Sequence, residues 1–285
     1  LANEEREIDE PELEILAQPN EKFDGGSVHL ELLDKRFKII NSCFSKGRAK
    51  SSIPDDGIAI DTSGGTAQRW LIDWLNNRGI NAYPAGVTAT LNENCGAGGL
   101  EPTDRWTWEE ISKGTGHLLL DCLAKKCIGG LPNEWEIGSI VGAALDGDGD
   151  RCLFIEATNQ GLQVIDGDRM ADAIIRSVSG TWKLAASIET DLGLEVDFQT
   201  AVGDRWLAAA LAQSVESEGL LQSENIPMII GSEDSGHIVL SAPHPNLNNN
   251  WSLVGDGVVT LLATLAADRA LGGLTEGGFR RGWKR

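Results

Sequence analysis

The chain has 285 residues, 41% of them hydrophobic, which suffices for one large core or two ordinary ones; two is the expectation at this length. Its formal charge of −19, with Lys125–Lys126 and Arg280–Arg281 as isolated basic pairs, repels phosphate backbones and anionic headgroups, so no nucleic-acid or membrane-surface partner is expected. No stretch approaches the roughly 20 apolar residues of a membrane span, and five cysteines without a C-x-x-C fit reduced thiols, which predicts a cytoplasmic location.

In chain order, the acidic "LANEEREIDE" lacks the character of a secretory signal. Ile8, Leu13, Ile15 and Leu16 among acidic residues predict an amphipathic helix over 1–16, and "QPNEKFDGGS" marks a break. "GIAIDTSGG" reads as a buried strand, "TAQRWLIDWLNNRG" as a helix stopped by Gly79, and "INAYPA" as a second strand. The segment 86–135, rich in Gly, Asn and Trp, carries no assignable period. "IGSIVGAAL" predicts a buried strand, and "RCLFIEATNQGLQVIDGD" a hairpin. Beyond it, "RMADAIIRSV", "WLAAALAQSVESEG" and "DGVVTLLATLAADRAL" read as helices, and "KLAASIE", "IPMIIGSE" and "HIVLSA" as strands. This alternation predicts two adjacent three-layer α/β domains, joined near residue 160, with residues 1–24 only loosely packed on them.

The predicted strand over 137–145 runs straight into "DGDGDR". In extended backbone alternate side chains share a face, so Asp146, Asp148 and Asp150 converge, and the glycines between them let the turn close. Three carboxylates without His or Cys favour a hard cation such as Mg²⁺ or Ca²⁺. The Ca²⁺ helix-loop-helix pattern fails, because its sixth position would be Arg151 rather than Gly and its twelfth Ala157 rather than Glu. A solvated Asp-Gly turn is the competing reading.

"IIGSEDSGHIVL" places Glu233, Ser235 and His237 on a Gly-bounded loop. Glu and Ser can hold sugar hydroxyls, and His can donate a proton. A serine-protease reading lacks upstream partners, since only His29 and His117 precede the loop, and Glu233 occupies the first Gly of G-x-S-x-G. Taken alone, this loop also reads as a polar hairpin.

Together, D-G-D-G-D-R and the later G-S-E-D-S-G-H resemble the α-D-phosphohexomutase superfamily. "AIDTSGGTA", "NENCGAG" and "TAVGDRW" fall in that family's order, and "VIDGDRM" and "GDGVVTLL" look most like its bacterial phosphoglucosamine mutase branch. The resemblance covers about residues 50–270. It implies two three-layer α/β/α domains with mixed sheets: 25–160 as a metal-binding domain and 161–285 as a sugar-binding domain, after a 1–24 remnant of a preceding domain and linker. It implies Mg²⁺ on Asp146, Asp148 and Asp150, with Arg151 facing the phosphoryl group. Glu233, Ser235, His237, Gly203, Asp204 and Arg205 would contact a hexosamine or hexose phosphate, with His237 as candidate proton donor.

The chain departs from the family in lacking both the T-A-S-H-N-P loop, whose serine carries phosphate, and the R-x-S-G-T-E-P loop that grips it. "SAPHPN" puts Pro243 in the serine's place, and "LTEGG" lacks the Ser-Gly. After the Cys-Gly segment only Glu101 and Pro102 remain of a His-Pro-Glu, and Ala201 stands where relatives carry a basic residue. The expectation is therefore a fragment of an isomerase that converts glucosamine 6-phosphate to glucosamine 1-phosphate, inactive as it stands. A non-catalytic binding protein and a glucose or mannose branch are the alternatives. Oligomeric state is not legible.

Overall fold

Buried apolar runs become strands, and the strands sort into two sheets. The computed structural model describes residues 24–44, 51–216, 219, 221–222, 224–244, 247–275 and 277–282, so the helix predicted over 1–16 lies outside the described residues. The chain divides into two compact units, 1–35 and 36–285. The described part of the first holds the start of α1 (Gly25–Cys43). Asp24 caps it, accepting from Ser27 N at 3.1 Å and Ser27 Oγ at 2.6 Å.

In the second unit, the first sheet contains β1 (Ile58–Asp61), β2 (Ala82–Pro84), β3 (Arg105–Thr107), β4 (Ile140–Leu145), β5 (Cys152–Ala157) and β6 (Gly161–Ile165), in the order β2-β1-β4-β5-β6-β3. β1 runs parallel to β2 and β4, and the remaining pairs are antiparallel. β4 and β5 are buried at every position, as their unbroken apolar runs require. The helix expected over 66–79 is shorter: Thr66–Arg69 wind as a 3₁₀ turn, and only α2 (Leu71–Asn76) is α-helical. Trp70, at φ −133°, separates them. The unassigned segment resolves into β3, α3 (Trp108–Lys113) and α4 (Leu118–Ala124). Thr107 opens α3 with a capping box: its Oγ1 accepts from Glu110 N at 3.2 Å, and Glu110 Oε2 accepts from Thr107 N at 2.8 Å.

The second sheet contains β7 (Lys183–Ser187), β8 (Phe198–Thr200), β9 (Ile229–Ser232), β10 (Ile238–Pro243) and β11 (Trp251–Gly255), in the order β11-β10-β9-β7-β8. It too is mixed, with β7 parallel to β8 and β9 and with β10 antiparallel to its neighbours. Leu207 and Leu211 of α6 (Asp204–Glu216) close a core with Ala185, Ile229 and Val239. α5 (Gly167–Ser177) packs on β9 and on α7 (Gly257–Leu271), which also reaches β4 and β5 of the first sheet. α7 is apolar all round because it is buried all round, from Gly257 to Asp268. Two mixed sheets with flanking helices are thus the α/β architecture expected; β6, ending at Ile165, belongs to the first sheet and β7, starting at Lys183, to the second. All five cysteines are free thiols, and among the described residues no helix is long and apolar enough to cross a membrane.

Candidate functional site

The acidic triplet follows β4 directly. One oxygen from each of Asp146, Asp148 and Asp150 lies within 4.8 Å of the others. Asp146 is buried and well partnered: Oδ1 accepts from Gly149 N at 3.2 Å and Arg151 N at 3.1 Å, and Oδ2 from Arg151 Nε at 2.7 Å. Burial works to raise its pKa, but the Arg151 side chain and N–H outweigh burial and hold it below the ordinary value. Asp150 moves the other way, raised by burial and by Asp146 against the pull of His237. Asp148 is exposed and makes no hydrogen bond or ion pair among the described residues. This oxygen-only set fits a hard divalent cation.

Glu233 to His237 join β9 to β10 in a tight turn, closed by Gly236 N on Glu233 O at 3.0 Å and Glu233 N on His237 O at 2.9 Å. Glu233 is 3% exposed. Its Oε1 accepts from Gly203 N, while Oε2 lies 3.1 Å from His237 Nδ1 and 3.4 Å from Ser235 Oγ. Burial would raise Glu233, yet His237 and the Gly203 N–H keep it below its usual value. Burial would lower His237, yet Glu233 and Asp150 raise it.

The two loops touch. Cys152 N donates to Gly236 O at 3.1 Å, forming an antiparallel bridge between Arg151 and His237. His237 Nε2 lies 3.0 Å from Asp150 Oδ2. Gly236 is at φ +98°, and a Cβ there would come within 2.4 Å of the Cys152 carbonyl, so no side chain fits. Helix starts back both loops. Asp256 caps α7 at 3.0 Å to Val259 N, and Gly257 N then donates to Gly149 O at 2.8 Å. Asp166 caps α5 at 3.1 Å to Arg169 N, and Gly167 N donates to Asp234 O at 3.1 Å.

Asp146, Asp148, Asp150, Arg151, Glu233, Ser235 and His237 therefore lie on two touching loops, with Gly203 attached through Glu233. Arg151 engages Asp146, the nearest opposite charge. Asp204 and Arg205 are exposed at the start of α6, where the Arg205 guanidinium lies 5.0 Å from the Trp206 ring centre, and no hydrogen bond joins their side chains to the two loops among the described residues. Pro243 ends β10 opposite Trp251, Ser241 Oγ donates to Pro227 O at 2.8 Å, and Thr275 Oγ1 to Glu156 at 2.8 Å, so the described parts of "SAPHPN" and "LTEGG" are bound into the scaffold.

The fold and these contacts together define an α/β protein of two mixed sheets in which a carboxylate loop touches a Glu-Ser-His loop. Residues 148–274 match the family model for phosphoglucomutase/phosphomannomutase, alpha/beta/alpha domain III. The phosphoglucosamine mutase of Sinorhizobium medicae is 30% identical over 245 residues, 79% of this chain and 44% of its own length. That of Nitrosococcus oceani is 27% identical over 258 residues, covering 85% and 46%. The crystal structure of an N-acetylglucosamine-phosphate mutase in its substrate complex shares the fold, with a TM-score of 0.50 at 16% identity over 89% of this chain and 50% of that one. The chain resembles the α-D-phosphohexomutase superfamily and is similar to bacterial phosphoglucosamine mutases. It spans about half the length of the curated relatives it matches.

Proposed function

We propose that this chain supplies the metal-binding and sugar-binding parts of a phosphoglucosamine mutase-like enzyme, which interconverts glucosamine 6-phosphate and glucosamine 1-phosphate through an enzyme phosphoserine. The observation that carries this reading is the Arg151–His237 bridge, which sets the acidic triplet beside the Glu-Ser-His loop. Residues 25–160, extended through β6, would form the metal-binding part, and the remainder up to 285 the sugar-binding part.

Asp146, Asp148 and Asp150 would hold Mg²⁺, which when bound draws charge from a phosphoryl oxygen. Glu233, fixed by the Gly203 N–H, accepts from a sugar hydroxyl, and Ser235 can donate or accept beside it. His237 is aimed by Glu233 on one ring nitrogen and Asp150 on the other, so it can carry the proton that a sugar oxygen gains or loses. Arg151 offers only donors and turns from Asp146 to the phosphoryl group. Asp204 and Arg205 enter only as a charged rim on the Gly203 loop. The ligand is a small sugar phosphate rather than nucleic acid, and the setting is cytoplasmic.

Phosphoryl transfer needs an in-line nucleophile and cationic clamps. These 285 residues contain neither T-A-S-H-N-P nor R-x-S-G-T-E-P, so on this reading they bind without isomerising. Calorimetry with Mg²⁺ tests the centre: Asp148→Ala should abolish binding, and unchanged binding would move the site elsewhere. Glucosamine 1-phosphate should shift the amide resonances of residues 233–237; shifts confined to 86–135 would overturn the sugar assignment. A coupled assay with glucosamine 6-phosphate and a bisphosphate primer should show no turnover. Intact homologues compared on glucosamine, glucose and mannose phosphates fix the branch.

The second reading is a non-catalytic metal- and sugar-phosphate-binding protein, favoured by the absence of both loops from these residues. A T-A-S-H-N-P loop in frame upstream of Leu1 would exclude it.

A further inference from the structure

We infer that Asn92 is a positioning residue for the acidic loop, fixing the Gly147 peptide and with it the spacing of Asp146 and Asp148; the inference rests on the metal reading above. Asn92 sits at φ +57°, a left-handed conformation that Asn enters more readily than most residues. Its Oδ1 accepts two hydrogen bonds, from Ser63 Oγ at 2.6 Å and from Gly147 N at 2.9 Å. Its own N–H donates to Ser63 O at 3.1 Å, so backbone and side chain both clasp the same serine.

Ser63 is anchored in turn. Its N–H donates to Asp61 Oδ1 at 2.8 Å, and Asp61 Oδ2 accepts from Gly96 N at 2.8 Å. Asp61 and Ser63 are both 0% exposed, so this support is part of the core. Thr66 N donates to Gly147 O at 3.3 Å. Gly147 therefore has its N–H and its carbonyl committed to groups outside its own loop. The aspartates on either side of it project from a peptide unit held at both its N–H and its carbonyl. Partners of this kind fix ligand geometry without touching the ion. An amide is the fitting acceptor here, because it takes both donors without adding a fourth negative charge to three carboxylates.

The test is Mn²⁺ titration of the full chain, followed by electron paramagnetic resonance, alongside hydrogen exchange at the Gly147 amide. Asn92→Gly removes the acceptor while tolerating the positive φ, so the fold should persist with a melting temperature lowered by a few degrees for the Ser63 hydroxyl it strands. Its Mn²⁺ affinity should fall about ten-fold or more, the usual effect of losing such a partner. Its Gly147 amide should exchange faster. Asn92→Asp keeps the acceptor and should restore slow exchange at the Gly147 amide. Wild-type affinity together with a protected Gly147 amide in Asn92→Gly would overturn the inference. If the wild-type chain takes up no Mn²⁺, the metal reading falls, and the Gly147 exchange rates alone decide whether Asn92 is the clamp.

Discussion

His237 bridges the two loops, with Nε2 3.0 Å from Asp150 Oδ2 and Nδ1 3.1 Å from Glu233 Oε2. Asp150 is thus both a candidate metal ligand and the partner of the candidate proton donor. The imidazole and a divalent cation compete for one carboxylate. His237→Gln should accordingly tighten Mn²⁺ binding by roughly two- to five-fold, the scale of a partly exposed ion pair. A Mn²⁺ titration reads this directly, and weakened binding would show that His237 supports the loop instead of competing for it.

Gly236 tests how closely the loops must approach. Gly236→Ala combines an unfavourable φ of +98° with a Cβ 2.4 Å from the Cys152 carbonyl. Gly79, at φ +78° with open space around it, is the matched control. Gly79→Ala should cost about 1 kcal/mol and Gly236→Ala about 2–4 kcal/mol in urea unfolding. Equal costs would mean that the Cys152–Gly236 contact gives way freely.

Asp256 does two jobs, capping α7 and pairing with Arg36 Nη1 at 2.8 Å. Arg36 is 8% exposed, and burial lowers its pKa against the pull of Asp256. Asp256→Ala loses the cap and strands a buried cation, so about 3–5 kcal/mol of stability should go. Asp256→Asn keeps the acceptor and should cost less. Adding Arg36→Met to Asp256→Asn should recover stability, and a further loss in that double variant would contradict the account.

Asp268 gives the chain a pH signature. Its carboxylate is buried in α7 and accepts from Ser51 Oγ at 3.0 Å, Ser52 N at 2.9 Å and Ser52 Oγ at 2.5 Å. Burial raises its pKa above the ordinary 3.8 despite these donors. The folded state therefore holds this proton more tightly than the unfolded chain does. Its contribution is fully present below that ordinary value and is lost as pH rises through the folded value. The stability of wild type relative to Asp268→Asn should fall as pH increases from about 4. A difference independent of pH, or growing with pH, would contradict the assignment.

What the sequence disclosed follows from local physics. "IVGAAL" and "CLFIEA" are continuous apolar runs, and such runs become central strands whatever their partners. The acidic triplet was legible as a cluster, but residues 146–150 form a bend with Gly149 at φ +81° rather than the extended backbone expected, so the turn and not a period of two gathers the carboxylates. α1 was not, because Gly25 and Gly26 read as a turn while the Asp24–Ser27 cap is what starts the helix. α3 carries its own legible signal, the Thr107-x-x-Glu110 capping box. β3 and β8 are three residues long and sit at sheet edges, too short to show any period. The contact of Asp150 with His237 joins segments remote in sequence, which only tertiary packing brings together.

The bond from Gly257 N to Gly149 O also sets an order of events during synthesis. The acidic turn leaves the ribosome well before the residue that braces it. At roughly 5–20 residues per second, the wait is on the order of ten seconds. Throughout that interval the nascent chain displays three clustered carboxylates without the donor that holds Gly149 in place. The turn can make this bond only once Gly257 has been added, so a ribosome stalled ahead of Gly257 would carry the acidic turn without that brace.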